Sequence, residues 1–298
     1  MNKNVSFVIP AYNCQSTLEE AVDSIFNDNF QPGDEVIIVN DASTDKTSEI
    51  SKNLLTKYEP FIKLINNERN LGCPASRNIG ISVSKNDLIF NLDSDNVLSP
   101  NSICRLRDEM NKEGADVASF QEYHYFKTDT KEITHKWRCI EGVMKLEDFL
   151  SGSINPGPGG NFLYRKEIWK KIGGYWEYGK GLHEAWGFSL KLLVNGAKFI
   201  VVPNTYYFHR YSHNSLFVRE SSKGGEGEKI TNDFIKLLLN FLDEDTLKYI
   251  KRVPNWFELM EKRPLCLRSK KQGHNGKIIY TSLIKQIAYF VKKIIMLS

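Results

Sequence analysis

Two acidic residues lie one position apart in the segment LDSDN, residues 92–96. The residues before it, DLIFN, predict a short buried strand. Because a strand directs alternate side chains to opposite faces, Asp93 and Asp95 are expected to point the same way and Ser94 to point away from them. Mg²⁺ and Mn²⁺ are held by one or two carboxylates together with phosphate oxygens of a substrate. The spacing favours such a cation site, and a polar turn with two solvated acids is the alternative.

Polar residues also follow the first three predicted strands. They read PAYN after the first, NDASTD after the second and NLGCPASRN after the third. Ligands of open α/β sheets bind outside the carboxyl ends of the strands, so all four segments are expected at one edge of a sheet. There Asp41 can accept an imide N–H, and Arg77 can pair with phosphate oxygens. The alternatives are that Asp41 caps the next helix through Ser43 and Thr44, and that Arg77 is a surface cation.

The elements that must position these residues alternate between strands and helices. Apolar runs predict strands over 5–9, 35–39, 62–65 and 87–92, and Pro10 is expected to end the first. Apolar residues at helical spacing predict a helix after each of the first three strands, and Ser16 with Glu19 forms a capping box for the first helix. This alternation predicts a mostly parallel sheet covered on both faces.

The pattern changes beyond Asn101. It predicts a helix over 103–110, aromatic-rich antiparallel strands up to Trp137, a Gly- and Pro-rich loop over 155–161, a short helix from Lys166 ended by two glycines, a helix over 184–195 and a strand over 199–202. A polar, glycine-containing stretch at 221–225 suggests a boundary. We therefore predict a catalytic domain over 1–220 and a helical C-terminal extension over 221–298.

Composition limits the classes of partner. A net charge of +4, evenly spread over the first two hundred residues, does not indicate a nucleic acid. Five scattered cysteines without a CxxC pair indicate neither a disulfide framework nor a zinc site and favour a reducing cytoplasm. The N-terminus carries no signal-peptide pattern, and no apolar run reaches the roughly 18 residues of a membrane-spanning helix.

The last segment, 277–298, mixes apolar residues with lysines. A basic amphipathic helix of this kind can lie on the anionic inner face of a membrane. Docking onto the catalytic domain is the alternative, and the sequence leaves both open.

The motifs PAYN, VNDASTDKT, NLGCPASRNIG and LDSD occur in an order and spacing that resemble the nucleotide-sugar-binding half of family 2 glycosyltransferases. The resemblance is strong over residues 5–100 and continues more weakly to 215. It implies the GT-A fold, which is an α/β, Rossmann-like mixed sheet flanked by helices. It also implies an inverting enzyme that uses a nucleoside-diphosphate sugar and Mn²⁺ or Mg²⁺.

The resemblance assigns roles to individual donor-side residues. Asp41 is expected to accept from the nucleotide base, and Arg77 to lie near the base or a phosphate. Asp95 is the chief metal ligand, with Asp93 as a second one or near the ribose. The remaining donor-side residues are expected to line the base, the ribose or the sugar: Pro10, Ala11, Tyr12, Asn13 and Ser94.

A histidine after the last strand often completes the metal site of GT-A enzymes. His209 and His213 are the candidates, and His209 is preferred because it follows the predicted strand most directly. A structural histidine with no metal is an equal alternative.

Sugar transfer also requires a base that takes a proton from the acceptor hydroxyl. In the resembling family this base is the aspartate of a Glu-Asp pair opening a helix, and here that pair reads Glu184-Ala185. Either Glu184 acts as the base, or the chain binds the donor without transferring sugar. The alternative for Glu184 is favourable interaction with the helix dipole. Trp176 and Trp186 are acceptor-side candidates, although aromatic clusters are more often core.

These patterns together predict a metal-dependent glycosyltransferase. The resemblance implies that it moves a sugar, UDP-linked, to a hydroxyl of a glycan or lipid-linked acceptor. This would take place in surface polysaccharide or lipopolysaccharide synthesis, in the cytoplasm or on the inner face of the membrane. A catalytically impaired regulatory or scaffold subunit is the alternative. A nucleotidyltransferase and a dinucleotide oxidoreductase are disfavoured, because PAYN is not a Gly-rich phosphate loop.

Overall fold

The computed structural model describes residues 4–139, 141–144, 161–177 and 184–211. The helices in this part of the chain are α1 Leu18–Asp28, α2 Thr47–Lys57, α3 Cys73–Ser82, α4 Ser102–Lys112, α5 Lys166–Lys171 and α6 Glu184–Val194. The strands are β1 Val5–Ala11, β2 Glu35–Asn40, β3 Ile62–Asn66, β4 Leu88–Asn91, β5 Val97–Leu98, β6 Val117–Phe126, β7 Ile133–Arg138, β8 Gly142–Met144, β9 Phe162–Arg165 and β10 Phe199–Arg210. The predicted boundary near 221, the C-terminal extension and the basic tail lie outside the described residues.

All ten strands join one mixed sheet in the order β3-β2-β1-β4-β9-β6-β10-β5, with β7 beside β6 and β8 beside β10. The first four strands are parallel to one another, as the alternation of strands and helices predicts. β9 runs antiparallel between β4 and β6, while β6 and β10 are parallel. The antiparallel strands predicted up to Trp137 are confirmed by the pairing of β6 with β7. The sequence did not predict strand β9.

Strand β1 continues through Pro10 to Ala11, so the prediction that Pro10 ends it is wrong. The backbone carbonyl of Val8 accepts from Leu92 on the β4 side, and that of Ala11 accepts from Asp41 on the β2 side. Because residues two apart face the same side of a strand, Pro10 faces β4, whose pairing with β1 ends at Val8. Its missing N–H therefore costs no ladder hydrogen bond.

Helix α3 packs directly on β1 and β2, and Gly80 permits this close approach. A Cβ atom at Gly80 would lie 2.4 Å from Cγ1 of Val8 and 3.2 Å from Cγ2 of Val39. A methyl group at this position would force the helix away from the sheet. The glycine thus sets how close the side chains of α3 lie to the ends of the strands.

Two local predictions are wrong. Helix α1 begins after Thr17 without a side-chain cap, so Ser16 and Glu19 form no capping box. Strand β10 does not end at Val202, because it resumes after a register shift and runs to Arg210. His209 therefore lies within the last strand and does not follow it.

None of the helices among the described residues combines the length and the apolar content that crossing a bilayer would need. Within the same residues Cys14, Cys73, Cys104 and Cys139 are free thiols.

A buried ion pair fastens α4 to the start of the sheet. Nη2 of Arg107 lies 2.9 Å from Oδ2 of Asp34, and 2% and 0% of the two side chains are exposed. Asp34 also accepts from the backbone N–H groups of Val5 at 2.7 Å and Gln31 at 2.9 Å. Both oxygens of Asp34 are therefore hydrogen-bonded away from water, whereas the buried Nε of Arg107 has no hydrogen-bond partner among the described residues.

We expect Arg107→Leu to lower the free energy of unfolding by about 3 kcal/mol, because it leaves the Asp34 carboxylate buried without its cation. Urea unfolding followed by circular dichroism measures the change. Lys112→Leu on the same helix is the control: Lys112 pairs with Glu109 at 3.1 Å on the surface, so its loss should cost about 0.5 kcal/mol or less. Equal effects of the two substitutions would contradict the importance of the buried pair.

Candidate active site

The carboxyl ends of the parallel strands bring three of the four polar segments side by side. Ala11 pairs with Asn40 and Asn40 pairs with Asn66, so β1, β2 and β3 end level with one another. The backbone N–H groups of Asp41 and Asn67 continue the ladder to the carbonyls of Ala11 and Asn40 at 2.8 and 2.9 Å. β4 ends beside β1 on the other side, where Asn91 pairs with Val8. The arrangement of the four segments at one edge is as predicted.

The loops after β1 and β2 are joined through Asn13. Its Oδ1 accepts from the backbone N–H of Thr44 at 2.8 Å, and its own backbone N–H donates to Oγ of Ser43 at 3.1 Å. Asn13 adopts a left-handed φ of 50°, which asparagine tolerates well. Its contact with a base or ribose stays a prediction, since its side chain already holds the two loops together.

The first strand's other predicted residues differ in exposure. Pro10 and Ala11 are buried, whereas 48% of Tyr12 is exposed. Tyr12 is thus an aromatic ring open to solvent at the sheet edge, which suits stacking against a planar ligand. The side chains of Pro10 and Ala11 are not open in this way, and their predicted role in donor binding is untested.

Asp41 holds the loop that leads from β3 to α3. Its Oδ1 accepts from the side-chain amide of Asn67 at 2.7 Å and the backbone N–H of Leu71 at 2.9 Å, and its Oδ2 accepts from the backbone N–H of Gly72 at 2.8 Å. The alternative that Asp41 caps α2 is wrong. Asp45 is closer to that helix and accepts from the N–H of Thr47 at 2.9 Å. Contact of Asp41 with a base stays a prediction.

Arg77 is buried, so the alternative of a surface cation is wrong. Only 3% of its side chain is exposed, and Nη2 lies 2.6 Å from Oδ1 of Asp93. The guanidinium carbon also lies 5.3 Å from the centre of the Tyr175 ring. Such a distance is typical of a cation–π contact. Arg77 therefore neutralises the first acid of LDSDN.

The two acids of LDSDN differ in their partners. Besides Arg77, Asp93 receives hydrogen bonds on Oδ2 from the side-chain amides of Asn96 at 3.1 Å and Asn161 at 3.2 Å. Within the described residues, the Asp95 carboxylate receives no hydrogen bond from another side chain. Burial, followed by the neighbouring charge of Asp93, raises the pKa of Asp95 to about 7. A cation bound beside Asp95 would favour the charged carboxylate and so oppose the effects of burial and of the Asp93 charge.

The remaining residues around the acids fix the turn itself. Strand β4 ends at Asn91, and Ser94 and Asp95 lie in the turn that follows, so the strand alternation on which the predicted side-chain directions depended does not extend to them. Ser94 is hydrogen-bonded to the thiol of Cys14. Arg210 donates from Nε to the carbonyl of Asp95 at 2.8 Å, and its backbone N–H donates to Oδ1 of Asn96 at 2.8 Å. The LDSDN turn is therefore held on one side by the end of β10 and on the other side by Cys14, in the loop after β1.

His209 lies near the acids. Its Nδ1 is 3.4 Å from the side-chain nitrogen of Asn96, and its ring centre is 4.8 Å from that of Tyr125. Burial lowers the pKa of His209 to about 4, although Asp93 opposes this shift. The imidazole is therefore neutral near pH 7, which is the form that binds a metal. His213 lies outside the described residues.

The side chains at the LDSDN turn fit a divalent cation that is coordinated partly by the protein and partly by a bound substrate. No group of three His, Cys, Asp or Glu side chains in the described part of the chain forms a ready metal site. Asp95 offers a carboxylate without a side-chain partner, whereas both oxygens of Asp93 already accept hydrogen bonds. Mg²⁺ and Mn²⁺ commonly take one or two carboxylates and complete their shell with phosphate oxygens and water. The geometry thus favours Asp95 over Asp93 as a ligand.

On the acceptor side, α6 begins at Glu184, as predicted. Ala185 is buried and its carbonyl accepts from Oγ of Ser189 at 3.0 Å. The side chains of Glu184 and Trp186 are outside what the structure describes. Trp176 is half-buried, and Nζ of Lys191 lies 4.9 Å from its ring centre, so one face of the ring has a cation beside it.

Several residues that build the site were not identified from the sequence. They are Asn91, Asn96 and Arg210. Asn96 and Arg210 adjoin residues that were identified, but only the register between distant strands shows that their polar groups meet at the LDSDN turn. No local pattern distinguishes them from ordinary polar residues.

We expect Asp41→Asn to lower the free energy of unfolding by about 2 kcal/mol. The substitution replaces one carboxylate oxygen by an NH₂ group, which cannot accept the hydrogen bond that the oxygen accepts in the wild type. Thermal unfolding without ligand measures this change, and Asp108→Asn on the exposed face of α4 is the control. An unchanged stability would show that Asp41 does not hold the loop and would leave base contact as its function.

Comparison with known proteins identifies the family. Glycosyltransferase GlyG of Streptococcus pneumoniae serotype 4 is 32% identical over 144 residues, which are 47% of this chain and 47% of GlyG. The poly-beta-1,6-N-acetyl-D-glucosamine synthase of Staphylococcus epidermidis is 26% identical over 178 residues, which are 59% of this chain and 42% of the synthase. The chain thus matches less than half the length of both relatives.

A solved structure supports the fold. S. aureus TarS 1–349 in complex with UDP-GlcNAc has a TM-score of 0.65 and 16% identity, covering 97% of this chain and 90% of that chain. The likeness establishes the GT-A fold that the sequence predicts. A family model described as glycosyl transferase family 2 matches residues 6–173, more than half of the 298 residues. The chain belongs to glycosyl transferase family 2.

Proposed function

We propose that this protein transfers a sugar from a nucleoside-diphosphate sugar to a hydroxyl of a glycan or lipid-linked acceptor, with inversion at the anomeric carbon. The observation that carries the proposal is the difference between the partners of Asp93 and Asp95 at the LDSDN turn. Asp93 is neutralised by Arg77, while the Asp95 carboxylate has no side-chain hydrogen-bond partner among the described residues. Both acids lie at the same sheet edge as the exposed ring of Tyr12. A base, a diphosphate and a cation can be held there together.

On the donor side, Tyr12 would stack on the base, and the loop held by Asp41 would form the adjacent wall. Arg77 would bring positive charge close to the diphosphate through its place beside Asp93. UDP-GlcNAc is the first donor to test, because the structurally similar TarS was solved with that compound. We therefore propose a UDP-linked donor.

Asp95 would hold Mn²⁺ or Mg²⁺, with His209 as a neutral nitrogen donor nearby. Such a cation, when bound, stabilises the negative charge that develops on the departing diphosphate. The protein's own contribution is a carboxylate whose desolvation and repulsion from Asp93 favour a cation beside it. Arg210 and Asn96 keep the turn in place while the cation and the diphosphate bind.

On the acceptor side, Glu184 would take the proton from the attacking hydroxyl at the start of α6. The acceptor oxygen forms a bond to the anomeric carbon as the bond from that carbon to the diphosphate breaks. Trp176 and Trp186 are proposed to line the acceptor. Trp176 already contacts Lys191 of α6, which keeps it close to the helix that carries Glu184.

The acceptor is proposed to be a growing surface glycan or a lipid-linked glycan, since one relative is a poly-beta-1,6-N-acetyl-D-glucosamine synthase. We propose that the protein acts in the cytoplasm, with the basic tail of 277–298 on the inner face of the membrane. That tail lies outside the described residues, so membrane contact rests on its sequence alone.

A second function is favoured by one specific observation. Ala185 occupies the position of the expected aspartate, and it is buried in α6. A chain without a competent base would bind the nucleotide sugar and act as a regulatory or scaffold subunit.

We expect Asp95→Asn to lower the turnover of UDP-GlcNAc with Mn²⁺ by about a hundredfold or more, because the cation loses its protein carboxylate. Release of UDP in the presence and absence of acceptor measures turnover, and calorimetry measures Mn²⁺-dependent donor binding. Glu109→Gln, on the surface of α4, is the charge-matched control. Turnover that is unaffected by Asp95→Asn and by chelation of the metal would contradict the cation's role.

Glu184→Gln distinguishes the two functions. If Glu184 is the base, the substitution should lower kcat by about a hundredfold or more while the affinity for donor stays the same. Ala185→Asp is the companion variant. Gain of transferase activity in Ala185→Asp, from a wild type that binds UDP-GlcNAc without transferring sugar, would establish the binding-subunit alternative.

A further inference from the structure

Residues Gly174–Glu177, here called the 174–177 segment, connect the donor side of the site with the helix that carries the predicted base. The segment follows α5 and has no regular secondary structure. Nevertheless Gly174 and Tyr175 are buried, and only 2% of Tyr175 is exposed. Side chains from α3, the sheet and α6 all converge on it.

Helix α3 holds the backbone of the segment through Asn78. Its Oδ1 accepts from the N–H of Tyr175 at 2.9 Å, and its Nδ2 donates to the carbonyl of Tyr175 at 2.9 Å. Gly174 allows this close approach, because a Cβ atom there would lie 2.7 Å from Oδ1 of Asn78 and φ is +69°. Asn78 is the residue after Arg77, so the same turn of α3 contacts both the segment and Asp93.

The ring of Tyr175 lies between the donor side and α6. On one side the guanidinium of Arg77 is 5.3 Å from the ring centre. On the other side the ring of Phe188 stacks on it at 3.8 Å with an interplanar angle of 12°. The hydroxyl oxygen of Tyr175 accepts from Nδ2 of Asn91 at 2.9 Å. Tyr175 therefore touches the side chain that pairs with Asp93 and a side chain of α6.

Two residues of α6 hold the segment. Phe188 is four residues after Glu184, and Lys191 is seven residues after it, so both lie on the helix face that begins at Glu184. Nζ of Lys191 donates to the carbonyl of Gly174 at 2.8 Å. Two contacts, about one and two helical turns after Glu184, therefore hold α6 against the 174–177 segment.

We propose that Tyr175 is a positioning residue that couples donor binding at Arg77 and Asp93 to the placement of α6. A donor diphosphate beside Asp93 changes the electrostatic surroundings of Arg77, and Arg77 is packed on the Tyr175 ring. Packed interiors transmit such shifts because they leave little free volume. Donor binding thereby orders the start of α6, and with it the base and the acceptor wall. This inference rests on the proposed function.

The test compares Tyr175→Leu with Tyr164→Leu. Both tyrosines are fully buried, both contact Phe188, and both hydroxyls accept from the same Asn91 amide, at 2.9 and 2.8 Å. Of the two, Tyr175 carries the cation–π contact with Arg77. Both substitutions remove a buried ring and a hydroxyl that accepts from Asn91, and the two hydroxyls are also hydrogen-bonded to each other. They differ in the ring contact with Arg77 and in the stacking on Phe188, which is closer for Tyr175.

Hydrogen–deuterium exchange over 184–194, with and without UDP-GlcNAc and Mn²⁺, provides the first measurement, and steady-state transfer provides the second. In the wild type and in Tyr164→Leu the donor should slow exchange in α6. Tyr175→Leu should lose this protection and show a kcat reduced about tenfold with little change in the donor KM. Tyr175→Phe keeps the ring and should restore both.

If Tyr175→Leu does not fold, Asn78→Ala is the second variant, since it releases the backbone of Tyr175 from a half-buried position on α3. It should also lose the protection of α6. Equal protection in all variants, or equal loss in Tyr164→Leu and Tyr175→Leu, would overturn the coupling. A wild type that binds donor and protects α6 but transfers no sugar would contradict the proposed enzyme while supporting the coupling. A wild type that binds no nucleotide sugar would overturn both.

Discussion

The guanidinium of Arg77 is positively charged although only 3% of the side chain is exposed. The rest of the site depends on the need to neutralise this buried charge. A buried cation without a partner costs several kcal/mol, so a carboxylate has to meet it. Asp93 does so at 2.6 Å and then accepts from two asparagine amides as well. The two acids of LDSDN therefore differ: Asp93 stabilises the protein, and Asp95 has no side-chain hydrogen-bond partner in the part of the chain that the structure describes.

The loops around this pair are held by side chains that bind backbone groups. Asp41 accepts from the N–H groups of Leu71 and Gly72, and Asn13 accepts from that of Thr44. Loop N–H groups that are turned away from water need such partners. An edge built in this way is preorganised, because its polar groups are already oriented before a ligand arrives. Preorganised donors and charges act on a reacting centre more strongly than groups that must first reorient.

The two halves of the site are built differently. The half proposed to bind the donor depends on the ends of the parallel strands and on α3, which Gly80 allows to pack against β1. The half proposed to bind the acceptor includes α6, and it contacts the other half through the stacked rings of Tyr175 and Phe188. Ala185 lies in α6, so the departure from the family's pattern falls outside the sheet edge at which the four polar segments meet.

The sequence by itself determined the parallel strands, the helices between them and the edge at which the four polar segments meet. Apolar periodicity and residues that follow strand ends are local signals, and the resemblance of the motifs identified the family. The tertiary structure alone decided which polar groups pair: that Asp41 holds the loop before α3, that Arg77 neutralises Asp93, that β10 continues to Arg210 with His209 inside it, and that Tyr175 joins Arg77 to α6. These contacts join residues that are 16 to 115 positions apart in the sequence. They form only when strands pair in register and helices pack on the sheet, so no local sequence pattern can show them.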